Sequence, residues 1–165
     1  MINAGEVKNV FNKGDKVVYP LYGAGIIEDL ECKSVDGQDQ MYYVLKIPIG
    51  NLKIMISAKK AEGLGIRRVM NAAELERVIC GVKIVQMSEN WNQRYKDNMD
   101  KIKTGNLDEV AEVFMTLRER ERAKGLSSAE KKLLSTAKQI ILSEMILSFE
   151  MERSEAEEML NRTIS

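Results

Sequence analysis

Residues 16–31, KVVYPLYGAGIIEDLE, decide how this chain is read. KVVYP (16–20) has the β-branched and aromatic character of a half-buried strand. LYGAG (21–25) is the glycine punctuation of a tight turn, and IIEDLE (26–31) resumes the strand pattern. Asp36-Gly37 then marks a hairpin turn. MYYVLKIP (41–48) and LKIMIS (52–57) follow, separated by Ile49-Gly50-Asn51. Four or five short strands within residues 14–58 predict a small SH3-like or Tudor-like β-barrel. A core that thin needs help from a neighbouring element or a partner.

From about residue 72 the period changes from two to that of a helix. AAELERVICGVKIVQM (72–87) puts Leu75, Val78, Ile79 and Val82 on one face. Asn90 is placed to cap a helix running to about Thr104, with Gly105 at its left-handed end. Asn106 caps the next helix, with Asp108 and Glu109 complementing its dipole and Val110, Val113, Phe114 and Leu117 forming its buried stripe. Lys124-Gly125 ends it, and Ser127-Ser128-Ala129-Glu130 is a capping box opening a long helix through Leu133, Ala137, Ile141 and Met145. Ser154-Glu155-Ala156-Glu157 reads as a second box before a short last helix. The fold class is therefore α+β: a small N-terminal barrel, then a C-terminal helical bundle. Residues 59–71 (KKAEGLGIRRVMN), with two glycines and four basic residues, read as a linker.

Composition narrows the chemistry. The chain of 165 residues has no histidine and two cysteines, Cys32 and Cys80, without CxxC spacing. That removes the usual zinc ligands and every Ser–His or Cys–His arrangement. Gly23-Ala24-Gly25 lacks the third glycine, the Lys-Ser/Thr end and the following helix of a phosphate loop. Glu28 and Asp29 fall on a strand, where neighbouring side chains face opposite ways. No catalytic constellation, metal site or cofactor is expected. The opening MINAGEVKNVFNKGD (1–15) has no apolar core of a signal peptide, and no run of apolar residues is long enough to span a membrane, so a reducing cytoplasm is expected.

Charge is informative only locally, because 25 Lys and Arg balance 25 Asp and Glu. Leu117–Gln139 carries an excess of +4, and the stretch after Ser143 an excess of −4. Lys124, Lys131 and Lys132 converge where the capping box follows its loop. Trp91, the single tryptophan, lies in the helical stripe of Tyr95, Met99 and Ile102 but is flanked by Asn90, Asn92, Gln93, Arg94 and Lys96. Two readings stay open from the residues alone. The ring is a core side chain, or it overhangs the first helical turn and stacks on an unpaired base beside phosphate-binding groups.

Three blocks resemble the CarD/CdnL family of bacterial transcription regulators: FNKGDKVVYPLYGAGIIEDLE (11–31), GLGIRRV (63–69), and NWNQRYKDNMDKIKTGNLDEVAEVF (90–114) running into KGLSSAEKKLLSTAKQIILSEM (124–145). The first is shared with the polymerase-binding domain of transcription-repair coupling factors. The resemblance implies a Tudor-like, RNA polymerase-interacting domain over 1–62, a linker over 63–71 and a helical DNA-interacting domain over 72–165. It implies docking on the polymerase β subunit by strand addition along Leu52, Lys53, Ile54, Met55 and Ile56, with Lys33 also in contact. Met55 stands where some relatives carry a basic residue, and Tyr22 where the family usually has histidine. Trp91 matches the tryptophan that wedges into promoter DNA at the upstream fork of the bubble and so stabilises the open complex. Arg94 and Lys96 match nearby basic positions, and Gln93 replaces a residue that is often basic. Asn90, Lys124, Lys131 and Lys132 complete the expected DNA-contacting set. The rival expectation is a protein–protein adaptor of the polymerase or repair machinery with Trp91 buried in the bundle.

Overall fold

The computed structural model describes residues 10–163; the first nine positions of the N-terminal stretch read above lie outside the described residues. Five strands form one antiparallel sheet: β1 (Lys16–Tyr19), β2 (Gly23–Val35), β3 (Gln38–Ile47), β4 (Leu52–Ser57) and β5 (Arg67–Arg68), in the order β4-β3-β2-β1-β5. The β2–β3 hairpin closes on Asp36 and Gly37, both at positive φ (51° and 76°), as a primed two-residue turn requires. A bulge at Glu28 shifts the register between Ile27 and Asp29, increasing the local twist. The inner face buries Val17, Ile27, Tyr43, Leu45, Ile47 and Ile56.

Five helices follow: α1 (Ala72–Cys80), α2 (Trp91–Lys103), α3 (Leu107–Ala123), α4 (Ser128–Phe149) and α5 (Arg153–Thr163). Asn71, Asn90, Asn106 and Ser127 cap α1 to α4 with side-chain oxygens, and the box at Ser127 is complete. The α+β order is the one the pattern predicts. Three details after residue 58 differ. First, α1 stops at Cys80 with Gly81 as its C-cap, and Val82 to Met87 run on without helical hydrogen bonding. Second, α5 begins at Arg153, which places Ser154 inside the first turn rather than at a cap. Third, the stretch read as a linker contains β5, which pairs with Val17 and Val18 of β1.

The two halves are packed against each other through α4. Gly23-Ala24-Gly25 lies within β2 rather than in the preceding turn, and its role is close approach. A Cβ at Gly23 would meet Ser143 Oγ at 2.7 Å, and the φ of +107° there already disfavours any other residue. The Ala24 N–H donates to Ser143 Oγ at 2.8 Å. Val18, Ala24 and Leu147 form a small apolar seam. Lys16 Nζ donates to the Leu147 carbonyl at 2.9 Å, so a cation sits at the negative end of the α4 dipole.

At the centre of this interface Glu144 is fully buried. Arg67, from β5, grips both its oxygens at 2.7 and 2.8 Å, and the Met70 N–H donates to the same carboxylate at 3.0 Å. Arg67 Nε also donates to the Gly105 carbonyl at 2.9 Å, tying in the α2–α3 junction. A buried carboxylate stripped of its partner is expensive. Arg67→Met is therefore expected to destabilise the protein by about 3–5 kcal/mol in equilibrium urea unfolding. Adding Glu144→Leu to that variant should recover most of the loss. A single substitution that leaves the unfolding midpoint unchanged would contradict this role.

Candidate nucleic-acid interface

The N-termini of α2 and α4 meet at one end of the bundle. Asn90 opens α2, its side-chain oxygen accepting from the Gln93 N–H, and Trp91 is the first helical residue. Trp91 is 42% exposed. One face of its indole stacks on Tyr95, one turn along, at 5.5 Å between centroids and 15° between planes. Its Nε1–H donates to Ser127 Oγ, the cap of α4, at 3.1 Å. The uncovered remainder of the ring is presented to solvent. A core position for this residue is thereby excluded, while Ile102 of the same stripe is fully buried and Tyr95 and Met99 are half-buried against the bundle.

Arg94 corrects an expectation. The inward face of α2 is Arg94, Asn98 and Ile102, spaced four residues apart. Arg94 is 4% exposed; its Nε donates to Glu130 Oε1 at 2.6 Å, and its Nη1 to the carbonyls of Ser88 and Glu89, both at 3.2 Å. A guanidinium so committed is not available to a phosphate; it fastens the segment before α2 to the start of α4. Glu130, 2% exposed, also accepts from the Ser127 N–H and hydroxyl, both at 3.1 Å. Burial by itself would raise the Glu130 carboxyl, but the hydrogen bonds from Arg94 and Ser127, together with the Arg94 charge, hold it below its ordinary value of 4.5.

Of the expected cations, Lys96 on α2, Lys124 after α3, and Lys131 and Lys132 in the first turns of α4 are exposed. Lys124 lies 3.6 Å from Glu89 in a solvent-exposed pair, which is weak enough to exchange for another anion. Lys96, Lys131 and Lys132 make no ion pair among the described residues. Asn90 is exposed, with its oxygen committed to the cap. Sequence reasoning missed Tyr95 as the backing of the indole and Ser127 as its hydrogen-bond acceptor. The i, i+4 spacing of Trp91 and Tyr95 carried the first; nothing local links position 91 to position 127.

A second surface lies on the sheet. β4 pairs with β3 alone, so its other side is an open edge. The Ala58 N–H donates to the Met41 carbonyl, and by antiparallel alternation the backbone groups of Lys53, Met55 and Ser57 turn outward. Leu52, Lys53 and Met55 have exposed side chains. Ile56 is buried and Ile54 is half-buried against the sheet core, so neither isoleucine side chain is offered to a partner. Lys33 Nζ donates to Met55 Sδ at 3.3 Å, which places these two residues together beside the edge, and Lys53 is paired with Glu28 at 3.1 Å.

The chain thus joins a sheet with one open strand edge, β4, to a helical bundle that displays a partly exposed indole. Two family models match it: the CarD-like/TRCF RID domain over residues 11–70, and the CarD C-terminal domain over residues 79–161. The chain belongs to the CarD family. A relative from Bacillus subtilis (strain 168), described as "Putative transcription factor YdeB", is 40% identical over 141 residues, covering 82% of this chain and 90% of that protein. No helix among the described residues is long and apolar enough to cross a membrane.

The lowered Glu130 carboxyl has a consequence at Trp91. A depressed carboxyl contributes stability above its ordinary value and loses it as pH falls through the folded value. Trp91 emission should stay constant from neutral pH down to about 4.5 and change only below it, as protonation of Glu130 releases Ser127. Glu130→Gln should show the altered emission already at neutral pH. A transition centred above 4.5 would contradict the assignment.

Proposed function

We propose that this chain is a transcription regulator that docks through the β4 edge on RNA polymerase, at its β subunit, and stabilises the promoter open complex through Trp91 at the upstream fork. Family membership and the description of the Bacillus relative as a transcription factor support the regulatory role. The observation that carries the nucleic-acid part is the exposure of Trp91 on a helix N-terminus, with exposed lysines at positions 96, 124, 131 and 132 on its own and the adjoining elements.

The mechanism is differential binding. Paired, stacked bases offer no slot for an indole, whereas an unstacked step at a fork does. A side chain that binds only the melted form shifts the equilibrium toward it by the difference in affinity. When opening is marginal, about 1.4 kcal/mol of difference changes the open-to-closed ratio tenfold. The exposed lysines and the free N–H groups of two helix termini hold the backbone phosphates. Docking on polymerase raises the effective concentration at the fork, so a neutral protein with weak intrinsic DNA affinity suffices. The chain's own residues perform this by contact alone; no bond is made or broken.

Trp91→Ala should fold normally and bind polymerase as the parent does, because the ring contributes little to the core. It should shorten the open-complex lifetime by about tenfold, measured as competitor-resistant complex over time. An unchanged lifetime sinks the DNA role, and a collapse of the fold makes the contacts of the ring with Tyr95 and Ser127 structural.

The docking edge has its own test. Proline at position 55 removes an outward N–H without removing a β3–β4 ladder bond. Met55→Pro should therefore abolish polymerase binding in a pull-down, whereas Met55→Ala, which only trims an exposed side chain, should weaken it modestly. Equal effects of the two substitutions would argue against strand addition.

A further inference from the structure

The Ser127 hydroxyl has one proton and two lone pairs, and all three are used. It donates to Glu130 Oε2 at 3.1 Å and accepts from the Glu130 N–H at 3.2 Å and from Trp91 Nε1 at 3.1 Å. Helix capping needs only the bond from the Glu130 N–H. The bond to Trp91 joins two different helices and adds nothing to the cap. Behind the hydroxyl, Glu130 is fixed in turn by Arg94, whose other donors reach the carbonyls of Ser88 and Glu89, immediately before Asn90 and Trp91. The chain of contacts therefore closes on itself: the cap of one helix holds the edge of the indole, and its buried partner holds the backbone that carries the indole. Tyr95 completes the brace from one face.

We propose that Ser127 is a positioning residue for Trp91, its hydroxyl aiming the indole at the nucleic acid in one rotamer before contact is made. The inference rests on the reading of Trp91 as the DNA-facing residue and names the group that sets its direction. An exposed side chain on the first turn of a helix ordinarily samples several rotamers, and each must be frozen on binding. Here the ring is held at its polar edge and on one face, so only its uncovered part is left to meet a base. Ser127 acts through Trp91 and touches no DNA in this scheme. It is a different contribution from the lysines, which attract the backbone.

The test uses the full-length chain and its single tryptophan, whose emission reports on position 91 alone. Ser127→Ala and Ser127→Gly both delete the hydroxyl, and glycine caps a helix nearly as well as serine, so the pair separates capping from aiming. Both should lower the fluorescence anisotropy of Trp91 in the free protein, and Ser127→Thr should restore it. In the polymerase–promoter assay both should shorten the open-complex lifetime about fivefold, as expected for one lost hydrogen bond. In a Trp91→Phe background, which keeps an apolar ring but has no N–H, the same Ser127 substitutions should change the lifetime no further. An equal loss in both backgrounds, or an unchanged anisotropy in Ser127→Gly, overturns the inference and leaves Ser127 a helix cap. Should Trp91→Ala itself leave the lifetime unchanged, the DNA reading fails and the positioning role with it. A loss in Trp91→Ala with a flat Ser127 response overturns the positioning role alone.

Discussion

A carboxylate with no exposed surface, Glu144, sits in the last third of α4 and is gripped by two nitrogens of the Arg67 guanidinium. The pair joins the last strand of the sheet to the longest helix of the bundle. Taking two such charges out of water is costly, and the cost is offset only where geometry is good and every lone pair is used. The Met70 N–H on Glu144 and the Gly105 carbonyl on Arg67 Nε meet that condition. Ser143, next in sequence, fixes the sheet from the other side by accepting from the Ala24 N–H, where glycine at position 23 leaves room. The consequence is geometric. A partner that holds β4 also sets the direction of the far end of the bundle, because no free tether lies between them.

That far end uses charge twice, in different ways. Arg94 and Glu130 are spent inside, where they order the junction of α2 and α4. Lys96, Lys131 and Lys132 stay outside without ion-pair partners among the described residues, and Lys124 is only loosely paired. A chain with zero net charge thus carries exposed lysines on the same elements as an exposed aromatic ring. The division follows from chemistry as well as position. A planar guanidinium satisfies several oxygens at once and tolerates burial, whereas an ammonium is more strongly hydrated and stays at the rim.

Local rules made most of this architecture legible. Asn90, Asn106 and the Ser127 box mark helix starts, because a cap is a requirement of the first turn and leaves its residue in the sequence. The strand runs and the Asp36-Gly37 turn were equally readable, since alternation and positive φ are local demands. What escaped was tertiary. GLGIRRV reads as a linker by composition, yet Arg67 and Arg68 pair with β1, since two residues of strand leave no periodic signal. Gly23-Ala24-Gly25 resembles a turn because glycine also marks close approach, and only the position of Ser143 distinguishes the two. Arg94 reads as a surface cation because its partner lies 36 residues away, on another helix. The same separation hid Ser127 from Trp91. Family resemblance placed the indole outside the bundle where periodicity alone did not decide.

The most direct measurement places a photoreactive phenylalanine analogue at position 91 of the full-length chain and maps its cross-links in a polymerase–promoter complex. Cross-links to DNA at the upstream edge of the melted region, present on open promoter and absent when the duplex is held closed, are the predicted result. Cross-links confined to the polymerase polypeptides, or DNA cross-links of equal yield on open and closed promoter, would contradict it.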